Sequence, residues 1–247
     1  MADGLLLLHA FPLDASMWAP QVDALAGEVK VVAPHLPGFG GTSPAGPVLT
    51  MDAAADAALA ALDADRVDRA VVCGLSMGGY VAMAMWRRHP TRIHGLILAN
   101  TRAGADDEAG RDRRLALAAR LRSEGNAFLV ESPPPLLSTD APPDLWDRVK
   151  AIIAVQPAEA IAAASAGMAE RPDSAPDLPG IDVPTLVVTS AGDSLIPPGA
   201  STPMAGQIPG ATLEVIEGAG HLSNLEAAQA FTDLVRAHLR RAGLLPA

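Results

Sequence analysis

The chain has 247 residues and a formal net charge of −10, from 18 basic and 28 acidic side chains. A hydrophobic share of 49% against 19% charged excludes a disordered chain, and this length fits one domain or one domain with an insert. The acidic balance argues against a nucleic-acid partner, and the lone cysteine, Cys73, excludes an intrachain disulfide framework or a cysteine-based zinc cluster.

The opening MADGLLLLHAF carries four leucines without a basic leader, unlike a secretory signal. No apolar run reaches the ~18 residues of a membrane span. A cytoplasmic protein with no membrane partner is the expectation. Residues 5–8 then read as a first strand and 18–25 as a helix. A valine-rich second strand covers 29–33. The alanine-rich stretch 51–62 predicts a helix with Thr50 as N-cap. A third strand at 70–74 leads into a helix over 78–88, which Pro90 stops. A fourth strand falls at 96–99, a fifth at 184–189 and a sixth at 213–216. The last helix is expected over 224–240, with Ser223 and Glu226 as a capping box. Strands alternating with helices, and reading as continuous apolar runs, predict an α/β fold with a mostly parallel, doubly wound sheet of about six strands.

The alternation breaks between about Arg102 and Val183. A charged segment at 106–124 opens this stretch, a proline-rich turn follows, and helix-like pieces lie near 144–155 and 158–169. An all-helical insertion of about 80 residues over the sheet is expected, in a position where such inserts shape sites. With few aromatics in the chain, a small or aliphatic-lined pocket is expected.

Gly74-Leu75-Ser76-Met77-Gly78 places G-x-S-x-G between a predicted strand and a predicted helix. A serine on so tight a turn needs a strained backbone, and the flanking glycines remove Cβ clashes. The Ser76 hydroxyl then stands at the strand end, with the Met77 backbone N–H beside it at the positive end of a helix. The spacing fits neither G-x-G-x-x-G nor the P-loop. A serine hydroxyl needs a base, and the base an orienting carboxylate. Asp193 follows the fifth strand and His221 the sixth, each among glycines, in the chain order Ser, Asp, His. Alone, Asp193 reads as a turn aspartate and His221 as a solvated loop histidine. Three such residues at three strand ends read together as a triad.

Of the other histidines, His9 is expected to brace its loop. His89, His94 and His238 are assigned to the surface, and His35 is a minor candidate near the site. Cys73 reads as buried and inert. The arginines of the insert (Arg111, Arg113, Arg114, Arg120 and Arg122) alternate with acids and read as a solvated helix face. Arg102, at the end of the fourth strand, is the arginine expected nearest the site.

Over about residues 4–101 and 184–240 the sequence resembles the α/β-hydrolase fold family. The resemblance rests on His9-Ala10-Phe11-Pro12, on Pro37-Gly38-Phe39-Gly40-Gly41-Thr42-Ser43, on the Ser76 turn, on Gly192-Asp193 and on Gly220-His221. Through His221-Leu222-Ser223-Asn224-Leu225-Glu226 it is similar to the enol-lactonase-like esterases. The resemblance implies a core domain of 1–101 and 184–247 and a helical cap or lid at 102–183. It also implies that the backbone N–H of Phe11 joins that of Met77 as an oxyanion donor. Three departures stand out: Ala10 where glycine is usual, His35 where an acid is usual, and no room for an N-terminal hairpin.

The function expected is cofactor-free hydrolysis of a small-molecule carboxylic ester or lactone, with Ser76 as nucleophile, His221 as base and Asp193 orienting it. The same fold and triad also serve C–C bond hydrolysis, perhydrolysis, or a lyase or cyclase step, and a binder with a retired triad is a third possibility. No metal site is expected, and the sequence gives no oligomeric state.

Overall fold

Four consecutive leucines, Leu5 to Leu8, are all buried, as are Val71 to Cys73 and Leu96 to Ala99. Side chains alternate between the two faces of a strand, so these runs require cover on both faces. In the computed structural model, which describes residues 2–246, they form the centre of a six-stranded, all-parallel sheet. Its strands are β1 (Ala2–Leu8), β2 (Lys30–Val32), β3 (Val67–Leu75), β4 (Ile93–Ala99), β5 (Thr185–Ser190) and β6 (Thr212–Ile216). The spatial order is β2-β1-β3-β4-β5-β6. The chain first steps from β1 out to β2, then returns past β1 to β3. Right-handed crossovers place the helices of those two steps on opposite faces. The reversal falls between β1 and β3, where open α/β sheets hold their ligands beyond the carboxyl ends of the strands.

The helices are α1 (Ala19–Leu25), α2 (Met51–Ala64), α3 (Met77–Arg88), α4 (Glu108–Glu124), α5 (Ala127–Glu131), α6 (Pro143–Ala154), α7 (Ala158–Ala169), α8 (Pro198–Gln207), α9 (Ser223–Glu226) and α10 (Ala228–Arg241). Thr50 caps α2 as expected, its side chain accepting the Ala53 N–H at 3.1 Å. Helix α2 packs on α3, and α1 on α10, where Trp18 meets Phe231 at 5.8 Å. Between β4 and β5 the chain forms helices α4 to α7, and no strand. Helices α6 and α7 meet at 94°, and no single helix among the described residues is long and apolar enough to cross a membrane. Helix α7 is buried from Ala160 to Ala169 and packs along α4.

Two readings of the C-terminal helix need correction. It is not continuous: the chain leaves helical geometry at Ala227 (φ −120°, ψ 52°), giving a short α9 before α10. Nor do Ser223 and Glu226 form a capping box. Ser223 lies inside α9 and donates its hydroxyl to Asn100 Oδ1 at 2.7 Å. The Glu226 carboxylate accepts from the Gly220 N–H and from Ser138 instead. Tertiary partners outbid the local cap for both side chains.

Candidate active site

Strand β3 ends at Leu75 and α3 begins at Met77, so Ser76 alone makes the turn. Its φ of 56° and ψ of −113° lie where a side chain is strained, at a cost on the order of 1–3 kcal/mol. The turn is held in place by its neighbours. The Ser76 N–H donates to the Ala99 carbonyl at 2.9 Å, and the Ser76 carbonyl accepts from the Gly79 N–H and the Thr101 hydroxyl, both at 2.9 Å. A Cβ at Gly74 would lie 2.1 Å from the Gly78 carbonyl oxygen, and one at Gly78 would lie 2.0 Å from that of Leu8. The G-x-S-x-G spacing is thus a packing requirement of β1, β3 and α3 meeting at one point.

Asp193 and His221 come from the loops after β5 and β6. His221 Nδ1 lies 2.8 Å from Asp193 Oδ2. A carboxylate only accepts, so Nδ1 carries the proton and Nε2 is left as the acceptor. Both side chains are buried. Burial by itself favours the neutral acid at Asp193. The hydrogen bond and charge of His221, the Ile196 N–H at 2.9 Å and the Asn100 amide at 2.9 Å outweigh it and hold the pKa below the usual carboxylate range.

Ser76 and His221 line one cavity of about 370 Å³, together with Phe11 from the loop after β1. Met77 is the first residue of α3, so its amide has no acceptor within the helix. Among the described residues, no group of three His, Cys, Asp or Glu side chains is placed to hold a metal ion. The arrangement presents a hydroxyl, an imidazole nitrogen fixed as an acceptor and the start of a helix to the same space.

A family model described as the alpha/beta hydrolase family matches residues 5–234. The chain belongs to that family. Among solved structures, an esterase from Thermogutta terrifontis, determined with malate bound, superposes with a TM-score of 0.92 and 40% identity, over 98% of this chain and 92% of the other. The enol-lactonase from Burkholderia xenovorans gives 0.87 and 31%, over 97% and 92%. A 3-oxoadipate enol-lactonase from Acinetobacter baylyi is 28% identical over 96% of this chain and 88% of its own.

Several residues of this alpha/beta hydrolase were not visible as parts of the site in the sequence. Asn100, at the end of β4 with a φ of 45°, is fully buried. Its amide donates to Asp193 Oδ2 and to Ser190 Oγ, and its carbonyl accepts from Ser223. A polar Asn-Thr pair closing an apolar strand was the available signal. Glu226 joins the loop that carries His221 to residues 136–138 of the insert. It accepts the Gly220 N–H at 2.8 Å, the Ser138 N–H at 3.0 Å and the Ser138 hydroxyl. The Leu222 N–H adds a bond to the Leu136 carbonyl at 2.8 Å.

The histidines divide differently from expectation. His9 does brace its loop: Nε2 accepts the Leu36 N–H at 3.0 Å, and burial pushes its pKa down to about 4. His238 is buried rather than on the surface, and burial lowers its pKa to about 4. His94 is half-buried between Asp3 and the Ala242 carbonyl. His35 packs beneath Gly40 and accepts the Ala15 N–H, outside the cavity lining. Cys73 is fully buried, which pushes its thiol pKa far up. Aliphatic residues such as Leu117, Leu136 and Ile196 line the cavity as anticipated, but so do Arg102, Arg113 and Arg114. The solvated-face reading therefore fails for Arg114, which is half-buried against Asp106, while Arg113 is exposed, as that reading expects, and also lines the cavity. The reading fits Arg111, and Arg120 and Arg122, which are exposed and pair with Glu124 and Glu159.

Proposed function

We propose that this chain hydrolyses a carboxylic ester or lactone through a covalent acyl-serine. One observation carries the reading: Ser76, on its strained turn, opens into the same cavity as a histidine whose Nδ1 is tied to a buried carboxylate. The full-length similarity to proteins named as an esterase and as enol-lactonases supports the same class of substrate.

In this reading, His221 Nε2 takes the Ser76 proton as Oγ bonds to the carbonyl carbon. Asp193 keeps the imidazole in the required tautomer and stabilises its cation. The amides of Phe11 and Met77 receive the developing oxyanion, each donor being worth about 2.7–4 kcal/mol. The C–O bond to the leaving alcohol breaks, and His221 returns the proton to it. Water, deprotonated by the same nitrogen, then releases the acid. The helices between β4 and β5 act as a lid over this centre, dividing the chain into a core of 1–101 and 184–247 and a cap of 102–183.

The test is labelling of Ser76 by a fluorophosphonate together with turnover of activated esters. Ser76→Ala is expected to fold normally, to lose the label, and to lose about 10³-fold or more in kcat. Near-wild-type turnover in that variant refutes the mechanism.

A further inference from the structure

Helix α4 presents Gly110, Arg113, Arg114 and Leu117 to the cavity, positions i, i+3, i+4 and i+7 of one helical face. A face closing over an apolar ligand would be apolar there. This one carries two guanidinium groups. Arg102 adds a third from the loop after β4.

The cavity lining holds one carboxylate against these three, Asp106, whose side chain is 2% exposed. It is already engaged on both oxygens. Oδ1 accepts from Arg102 and Arg171, and Oδ2 from Arg114 and Arg171. Asp107, the next acid, accepts the Gly110 N–H at 2.7 Å as the N-cap of α4. Among the described residues, no carboxylate lies within 4 Å of the Arg113 guanidinium, and the buried Arg102 Nε has no acceptor. This excess of positive charge stands in a chain of net charge −10. A planar, forked donor of this kind matches a second carboxylate.

We infer that the ester or lactone turned over in this cavity carries a carboxylate, which binds Arg113 and Arg102. The inference rests on the hydrolase reading above and adds the substrate's charge. Asp106 sets the pattern: it holds Arg114, Arg171 and one nitrogen of Arg102, and leaves Arg113, exposed at the cavity edge, as the free end of the cluster.

The test compares kcat/KM within two matched series. In the first, mono-4-nitrophenyl esters of C4 to C8 dicarboxylic acids are set against 4-nitrophenyl esters of monocarboxylic acids of equal length, with the uncatalysed rate subtracted. In the second, the charge is on the alcohol side, as 3-carboxyphenyl butyrate against phenyl butyrate. The charged member is expected to be preferred about tenfold or more in one series, less so at 1 M salt. Arg113→Gln is expected to bring that ratio toward one. Arg111→Gln, on the same helix but outside the cavity lining, is expected to leave it unchanged. A ratio at or below one in both series overturns the inference while leaving ester hydrolysis intact. So does a ratio that survives in both Arg113→Gln and Arg102→Gln. Loss of all hydrolysis together with loss of Ser76 labelling overturns the hydrolase reading, and the inference with it.

Discussion

The floor of the cavity and its roof are built on different principles. The floor is made of strand ends and the turns that follow them, where backbone meets backbone. Gly74 and Gly78 leave no room for even one carbon, and Ser76 and Asn100 are held at positive φ by their neighbours. The roof is made of α4, residues 134–136 and the end of α7, and it is tied together largely through side chains, chiefly the cluster on Asp106, with one close backbone contact at Gly167, where a Cβ would lie 1.7 Å from the Leu49 carbonyl oxygen. At Gly74 and Gly78 of the floor the backbone leaves no room for a side chain. Where side chains make the contact, exchange of one for another is tolerated more readily.

Substitutions that exchange the two behaviours would break this contrast. The largest effect is expected from Asp193→Asn, on the floor. The wrong imidazole tautomer is then favoured, and kcat falls on the order of 10³–10⁴-fold, read in steady-state kinetics with a preserved thermal transition. Gly78→Ala comes next. Its methyl would meet the Leu8 carbonyl, and a loss of about 3 kcal/mol in urea unfolding is expected.

Asp106→Asn probes the roof. Burial by itself raises the Asp106 pKa, but its bonds to Arg171 and Arg114 overcome that and hold the group well below the ordinary carboxylate range. A depressed folded pKa gives stability that is present above the unfolded pKa, near 3.8, and is lost as pH falls through the folded value. The variant is therefore expected to be about 1–3 kcal/mol less stable at pH 7, since several of its partners reach solvent. The gap between it and wild type should narrow below about pH 4. An unchanged gap at pH 3 would show that the charge of Asp106 contributes nothing. The smallest effect belongs to the junction of roof and floor. Glu226→Gln keeps the size of the side chain but loses one acceptor among its three bonds. A drop in kcat of up to about tenfold is expected, with KM moving less.

The same division governs how much could be read from the sequence. The four inner strands β1, β3, β4 and β5 were legible because each is a short, largely buried apolar run, and the edge strands β2 and β6, more exposed, because each is a short run rich in β-branched residues between turn residues. Ser76, Asp193 and His221 were legible because their glycine settings are local. Asn100, Glu226 and Asp106 were not, because their meaning lies in distant partners. Asn100 binds Ser223, 123 positions away; Glu226 binds Ser138, 88 away; Asp106 binds Arg171, 65 away. The break at Ala227 and the burial of His238 were missed for a related reason. Local pattern favoured one amphipathic helix with a basic end, and tertiary packing decided the rest. The arginines of α4 alternate with acids in the sequence, yet only the fold decides which of them turn inward.

The burial of Cys73 has a practical outcome. The protein's single thiol is fully enclosed in β3 and held in its unreactive protonated form. A cysteine introduced at Val155, exposed at the junction of α6 and α7, would then be the only one open to maleimide. A fluorophore placed there would test whether the roof moves over the floor during turnover, with no prior removal of native thiols.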